Sequence, residues 1–427
     1  MSCFVVPVRV VRALTAVVWV AALAALAACG GGGGSSNNPA ATAQGGGMSA
    51  QAQLGALVFN DQTLSVGGNQ SCATCHVPEL GHAGAPNSIA EGLGSDATEL
   101  GSDGHSLGRR VAPSLRYLKA NLRNGFDFVK DPESGELTPT GGFFLDGRVD
   151  TLAAQAKEPF LNPIEMGNPD KASVVAKLAL RPYADQFKAQ FGQNIFNDPE
   201  AAFNAIAQTL ELFQRESPDF APYSSKYDAF LRGQASLSTS ELRGLAWFNS
   251  PSKGNCRACH PSGIDPTTGA FPLFTDFTYD TLGVPRNYRV SGSYGDKGLC
   301  DSGNAKVNAF SGKESLCGAF KVPSLRNVGL RKAFFHNGRF RNLTDVVTFY
   351  VQRDTNPEKW YVDANGVPEG KFNDLPDYAG NVNTTEVPYN RHPGEAPALN
   401  ADEIDEVVSF LCTLTDGWTG ASQPCRR

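Results

Sequence analysis

The chain has 427 residues, of which 41% are hydrophobic, and a formal net charge of −6 at pH 7. A chain of this length and hydrophobic content can bury two or three cores, which excludes the disordered, collagen-like and coiled-coil classes. Nucleic acid is excluded as a partner, because phosphate contacts need clustered Lys and Arg side chains that do not occur here.

The first 48 residues are predicted to direct export. Residues 1–28 have the basic start and short apolar stretch of a signal peptide, and the LAAC that ends at Cys29 resembles a bacterial lipobox. Residues 29–48 are rich in Gly and Ser, which predicts a flexible tether. We therefore expect the protein on the periplasmic side of the cell envelope, with membrane contact only through a lipid on Cys29. An ordinary secretion signal is the alternative.

Two copies of one motif, CATCH and CRACH, follow in the predicted mature chain. Their cysteines and histidines are Cys72, Cys75, His76, Cys256, Cys259 and His260. In this spacing the two thiols add to the vinyl groups of one porphyrin, and the His that follows binds its iron. Zinc and a redox dithiol are the alternatives, but zinc needs four ligands in one site and a redox dithiol needs no His. The motifs predict two covalently attached c-type haems.

An apolar helical stretch precedes each motif, with Phe59 near the end of the first stretch and Phe248 near the end of the second. Ser238 and Glu241 have the spacing of a capping box for the second stretch. Residues 402–414 have the period of a closing helix. We predict a mainly α fold with two cytochrome c-like domains, residues 49–222 and 223–427. Each domain would hold one haem, and the two would pack across an inter-haem interface.

Four further cysteines are close in sequence as two pairs. Because an exported protein meets an oxidising compartment, Cys300–Cys317 and Cys412–Cys425 are the simplest disulfides. Other pairings stay open.

Methionine is scarce in this chain, which limits the axial ligands of the predicted irons. Met1 lies in the signal, Met48 in the tether and Met166 in NPIEMG after the first motif. The second haem is therefore expected to lack the Met ligand of ordinary electron-carrying cytochromes c. Its second ligand must come from another residue type.

Three longer segments carry a family resemblance. FFLDGRVDTLAAQAKEPFLNPIEMG (143–167), KVPSLRNVGLRKAFFHNGRF (321–340) and NLTDVVTFY (342–350) resemble the bacterial dihaem cytochrome c peroxidase and MauG superfamily. The resemblance implies a peroxide-reactive haem in the N-terminal domain, ligated by His76, and an electron-transfer haem in the C-terminal domain, ligated by His260.

The resemblance also implies roles for four further residues. Glu165 matches the distal acid and Gln155 the distal amide above the first haem, where a carboxylate can move the proton of a peroxide. Tyr350 matches the distal ligand of the second haem in MauG-like proteins, and His105 a displaceable distal ligand of the first haem. Glu165 capping a turn, Tyr350 packing in a core and His105 exposed in a loop are the alternatives.

Two positions depart from the family pattern. Leu145 stands where the family usually has a Trp between the haems, and an aliphatic side chain cannot carry a radical. Val111 stands where the family has an Asn ligand of an inter-domain calcium ion, and losing an oxygen ligand makes calcium doubtful.

We predict a haem peroxidase that reduces hydrogen peroxide to water with electrons from a periplasmic cytochrome c or cupredoxin. A MauG-like enzyme that uses peroxide to oxidise aromatic residues of a partner protein is the alternative. A third hypothesis is a dihaem electron carrier without enzymatic activity, which Glu165 and Gln155 disfavour.

Overall fold

The computed structural model describes residues 47–85, 98–118, 125–130, 132–133, 135–290 and 292–427. The predicted signal peptide, Cys29 and nearly all of the predicted tether lie outside these residues. In the part of the chain that is described, no helix is both long and apolar enough to cross a membrane.

The described part of the chain is mostly helical, as the sequence predicted. Its helices are α1 (Ala50–Asn60), α2 (Cys72–Cys75), α3 (Leu152–Leu161), α4 (Lys171–Ala179), α5 (Ala184–Phe191), α6 (Pro199–Glu216), α7 (Lys226–Leu231), α8 (Thr239–Asn249), α9 (Ala305–Ala309), α10 (Leu343–Gln352) and α11 (Ala401–Cys412). Its strands form two antiparallel pairs: β1 (Phe126–Lys130) with β2 (Leu137–Gly141), and β3 (Tyr279–Asp280) with β4 (Phe320–Lys321).

The predicted helix signals are confirmed at their ends. Ser238 and Glu241 form the capping box that starts α8, in which each side chain bonds the other residue's backbone N–H. Asn400 and Glu403 form the equivalent box at the start of α11, the closing helix.

At two helix crossings, the backbones of the two helices approach each other closely at a glycine. Helix α1 packs against α6, and α8 packs against α11. A Cβ atom on Gly55 would lie 2.0 Å from the carbonyl oxygen of Thr209, and one on Gly244 would lie 1.9 Å from that of Glu406. Only glycine therefore lets these backbones come so near to each other.

An aromatic pair follows each glycine one helical turn later. Phe59 meets Phe213 with ring centroids 5.4 Å apart, and Phe248 meets Phe410 at 5.2 Å. Each pair adds about 0.5–1.5 kcal/mol beyond the area that it buries. The helix that precedes each CxxCH motif is thus fixed to a later helix by the same glycine and aromatic spacing.

The buried apolar residues form two large clusters and a small one. The first large cluster contains residues between 54 and 220, and the second contains residues between 227 and 414. The small cluster surrounds Phe126 and Tyr279 and includes the disulfide Cys300–Cys317. The disulfide Cys412–Cys425 is also formed, so both predicted pairings are confirmed. The domain boundary between 222 and 223 stays a prediction.

Candidate haem sites and the residues between them

The first motif forms helix α2, which begins with a capping box made by Ser71 and Thr74. Cys72 and Cys75 take part in no disulfide. The ring nitrogen Nδ1 of His76, the next residue, lies 3.0 Å from the carbonyl oxygen of Pro113 and 3.2 Å from that of His82. Because a carbonyl can only accept, Nδ1 carries the proton and Nε2 keeps the lone pair that binds a metal.

The second motif repeats this arrangement. Cys256 and Cys259 are also free thiols, and Nδ1 of His260 lies 2.7 Å from the carbonyl oxygen of Phe274. Burial lowers the pKa of both His76 and His260 to about 4. Both imidazoles are therefore neutral at pH 7, which is the form that ligates iron.

A large cavity lies beside the second motif. Cys256, Cys259 and His260 line it together with many apolar side chains, among them Leu282, Val346 and Val347. Such a lining suits a porphyrin, whose faces are apolar.

Tyr350, on helix α10, lines the same cavity. Its pKa is raised, chiefly by burial and then by the negative charge of Asp280. Its ring lies 5.7 Å from that of Phe335 and 6.0 Å from that of Tyr389, measured between centroids. The structure therefore brings Tyr350 and His260 to one cavity, while the role of Tyr350 as an iron ligand stays a prediction. It adds a second buried phenol there, Tyr389, that no sequence pattern indicated.

Glu165 lies in the turn that follows helix α3. Its carboxylate accepts a hydrogen bond of 2.9 Å from the side-chain amide of Asn162. Burial raises its pKa, and the charge of Arg148 opposes that rise. Burial raises the pKa of the Cys72 and Cys75 thiols, and the negative charge of Glu165 raises both further. The predicted distal acid and the first attachment motif therefore lie close together.

Gln155, on helix α3, is buried and lines a second, smaller cavity. Phe143 and Phe144 line it too. Five residues line both the smaller and the larger cavity: Leu145, Lys321, Val322, Pro323 and Arg331. Leu145, at the position of the family's bridging Trp, is thus one of the residues between the two cavities.

His105 lies in the loop next to the Glu165 turn, where the backbone N–H of Ser102 donates to the Glu165 carbonyl at 2.7 Å. The His105 residue itself is exposed, and its backbone N–H donates to Asp103 at 2.9 Å. Its role as a displaceable ligand stays a prediction.

The half-buried carboxyl of Glu99 was not indicated by any sequence pattern. It accepts a hydrogen bond of 3.1 Å from the backbone N–H of Ala112, and burial raises its pKa to about 7. Glu165 raises that pKa further, so two interacting acids lie near the first motif.

The position of Val111 bears on the calcium expectation. Val111 is buried, and its backbone N–H donates to the His336 carbonyl at 2.9 Å. Among the residues with described positions, no group of three or more His, Cys, Asp or Glu side chains is arranged to hold a metal ion. The doubtful calcium site stays a prediction.

Comparison with known proteins identifies the family. Residues 49–236 match the family model of the di-haem cytochrome c peroxidases. Methylamine utilization protein MauG of Paracoccus denitrificans is 36% identical over 375 residues, which cover 86% of this chain and 89% of that protein. Cytochrome c551 peroxidase of Nitrosomonas europaea is 26% identical over 85% of this chain and 79% of its own length. The diheme peroxidase BthA of Burkholderia thailandensis superimposes with a TM-score of 0.79 at 34% identity, over 92% of this chain and 94% of BthA.

The chain therefore belongs to the dihaem cytochrome c peroxidase and MauG family, whose members are peroxide-using oxidoreductases. The predicted family is confirmed.

Proposed function

We propose that this protein carries two thioether-linked haems and reduces hydrogen peroxide to water with electrons from a small periplasmic cytochrome c or cupredoxin. The observation that carries the proposal is an asymmetry between two otherwise similar sites. A half-buried acid, Glu165, lies beside the first CxxCH motif, whereas a phenol, Tyr350, lines the cavity of the second.

The residues present fit two haems. Each motif offers two free cysteines for the vinyl groups and a neutral His whose Nε2 is available to the iron. When bound, the first haem supplies the iron that binds peroxide and passes electrons to it.

Glu165 moves the proton in the proposed reaction. Reduction of H₂O₂ takes up two electrons and two protons and releases two water molecules. The Glu165 carboxylate would accept the proton of one peroxide oxygen and return it to the other, which would leave as water. The Asn162 amide holds the carboxylate in place during this transfer. The Gln155 amide, fixed on helix α3, orients the peroxide by hydrogen bonding.

Tyr350 would hold the iron of the second haem in this proposal. Burial favours the neutral phenol, but the positive charge of a bound ferric iron favours the phenolate. A phenolate stabilises oxidised iron, so the second haem would store oxidising equivalents. Leu145 offers no π system for a hopping charge, so electrons would pass between the haems by direct tunnelling or through Phe143 and Phe144.

Export and lipidation at Cys29 would place the enzyme on the periplasmic side of the envelope, where such a donor is found. These remain proposals drawn from the sequence.

A MauG-like activity on aromatic residues of a partner protein is the second candidate. Two observations favour it: the 36% identity to a MauG protein and the presence of Tyr350 in the second cavity. Leu145 disfavours it, because strong coupling between the haems has no aromatic bridge at that position.

Turnover with peroxide and a reduced cytochrome c separates the two candidates. We expect rapid, sustained oxidation of the cytochrome, measured by its absorbance. Slow turnover together with mass changes on aromatic residues of a co-purified protein would instead support the MauG-like activity. No reaction with peroxide would contradict both.

Replacing the acid beside the first motif tests its role in proton transfer. We expect Glu165→Gln to slow peroxide reduction by about 10²–10⁴-fold, because an amide cannot accept the proton. In the wild type the rate should fall as the pH decreases through the raised pKa of Glu165, since only the carboxylate acts as a base. The variant should lose that pH dependence. Glu79→Gln, an exposed site near the same motif, is the matched control. A wild-type rate in Glu165→Gln would remove this residue from the mechanism.

Replacing each of the two phenols in the larger cavity tests the ligand of the second haem. Tyr350→Phe should change the electron paramagnetic resonance spectrum of one ferric haem, because its oxygen ligand is lost, and leave the other haem unchanged. Tyr389→Phe, in the same cavity, should leave both spectra unchanged. Wild-type spectra from Tyr350→Phe, or a change only in Tyr389→Phe, would refute the assignment.

A further inference from the structure

Two basic side chains, Lys321 and Arg331, line both the larger and the smaller cavity. They differ from Arg110 and Arg148, which lie nearby and are paired. Arg110 contacts the carboxylates of Asp146 and Asp296 at 2.5 and 2.7 Å, and Arg148 contacts Asp146 at 3.0 Å. Within the described ranges, neither Lys321 nor Arg331 has a carboxylate within 4.0 Å.

The backbone of Lys321 is fixed by strand pairing and by a hydrogen bond. In β4 it is opposite Tyr279 of β3, and its backbone N–H donates to the Leu145 carbonyl at 2.8 Å. Its ammonium donates to the Gly142 carbonyl at 2.7 Å and lies 5.8 Å from the Phe143 ring. An ammonium has three N–H donors, so one carbonyl leaves two without a partner on the described chain.

The guanidinium of Arg331 also has an N–H group without a hydrogen-bond partner among the described residues. Its Nε is buried and has no hydrogen-bond partner in the described part of the chain. Burial lowers the pKa of this guanidinium, and the charge of Glu99 only partly opposes that effect. Glu99 is itself a weak counter-ion near pH 7, because burial raises its pKa to about 7.

Cations removed from water are strongly destabilising unless an anion compensates them. Burial lowers the pKa of Lys321 to about 8, so its amine still carries charge at pH 7. The charges of Lys321 and Arg331 are only partly offset by the carboxylates of Asp146 and Glu99, neither of which bonds them. The larger cavity is lined by His260, and the smaller one by Pro113, whose carbonyl bonds Nδ1 of His76. Carboxylates entering from the two cavities would compensate both charges, and each haem carries two of them, its propionates.

We propose that Lys321 and Arg331 form a carboxylate-binding site between the two cavities, in which the Lys321 ammonium is shared by a propionate from each haem. Lys321 is then a positioning residue: it fixes the orientation of both porphyrins and adds a positive charge between them. The inference rests on the proposed function only in requiring two haems.

The test is the midpoint potential of each haem in the holoenzyme, measured by spectroelectrochemistry. A nearby positive charge favours the reduced haem, so Lys321→Met should lower both potentials. Lys321→Gln serves as a second neutral variant, and Lys321→Arg, which keeps the charge, should remain close to the wild type. Lys359→Met, at an exposed site, should shift neither potential.

Potentials that stay at the wild-type values in both neutral variants would overturn the inference. A shift confined to one haem would overturn the shared site, and an equal fall in Lys321→Arg would show that packing, and not charge, is responsible. Haem content, determined first by absorbance of the alkaline pyridine adduct, distinguishes the two levels of failure. Fewer than two haems in the wild type would overturn the proposed function and this inference together, whereas two haems with unmoved potentials would overturn this inference alone.

Discussion

The hydrogen bonds that hold the two motif histidines are the constraint on which the rest of the site depends. His76 and His260 each direct Nδ1 to a backbone carbonyl, from Pro113 in one site and Phe274 in the other. These bonds fix the tautomer and the ring orientation, and burial keeps both rings neutral. The protein alone therefore holds a neutral, oriented imidazole at each motif, ready to bind a metal.

The two sites share this arrangement of the motif histidine and differ in the other groups that lie near it. Repeated helix crossings at Gly55 and Gly244 fix the helix before each motif in the same way. Around that common frame, the first site receives the acid Glu165 from the turn after α3, and the second receives Tyr350 from α10. The proposed division of labour, peroxide at one haem and stored oxidation at the other, follows from that difference in nearby groups.

Features set by local sequence were predictable, and features set by tertiary contacts were not. The CxxCH spacing, the Ser238–Glu241 capping box and the pairing of Cys300 with Cys317 each depend on residues close in the chain. Lys321 lies in one of the segments that carry the family resemblance. Its position between two cavities depends, however, on its strand partner Tyr279 and on the carbonyl of Gly142, which are both distant in sequence. The acid Glu99 had no sequence signal, because its raised pKa comes from desolvation that only the folded chain produces.

The central claim is that this polypeptide holds two porphyrins through thioether bonds. Mass spectrometry of the denatured protein, after expression with a cytochrome c maturation system, tests it most directly. We expect a mass equal to the processed polypeptide plus two haems, with the adducts on the peptides that contain Cys72–Cys75 and Cys256–Cys259. One adduct, or haem that dissociates on denaturation, would contradict it.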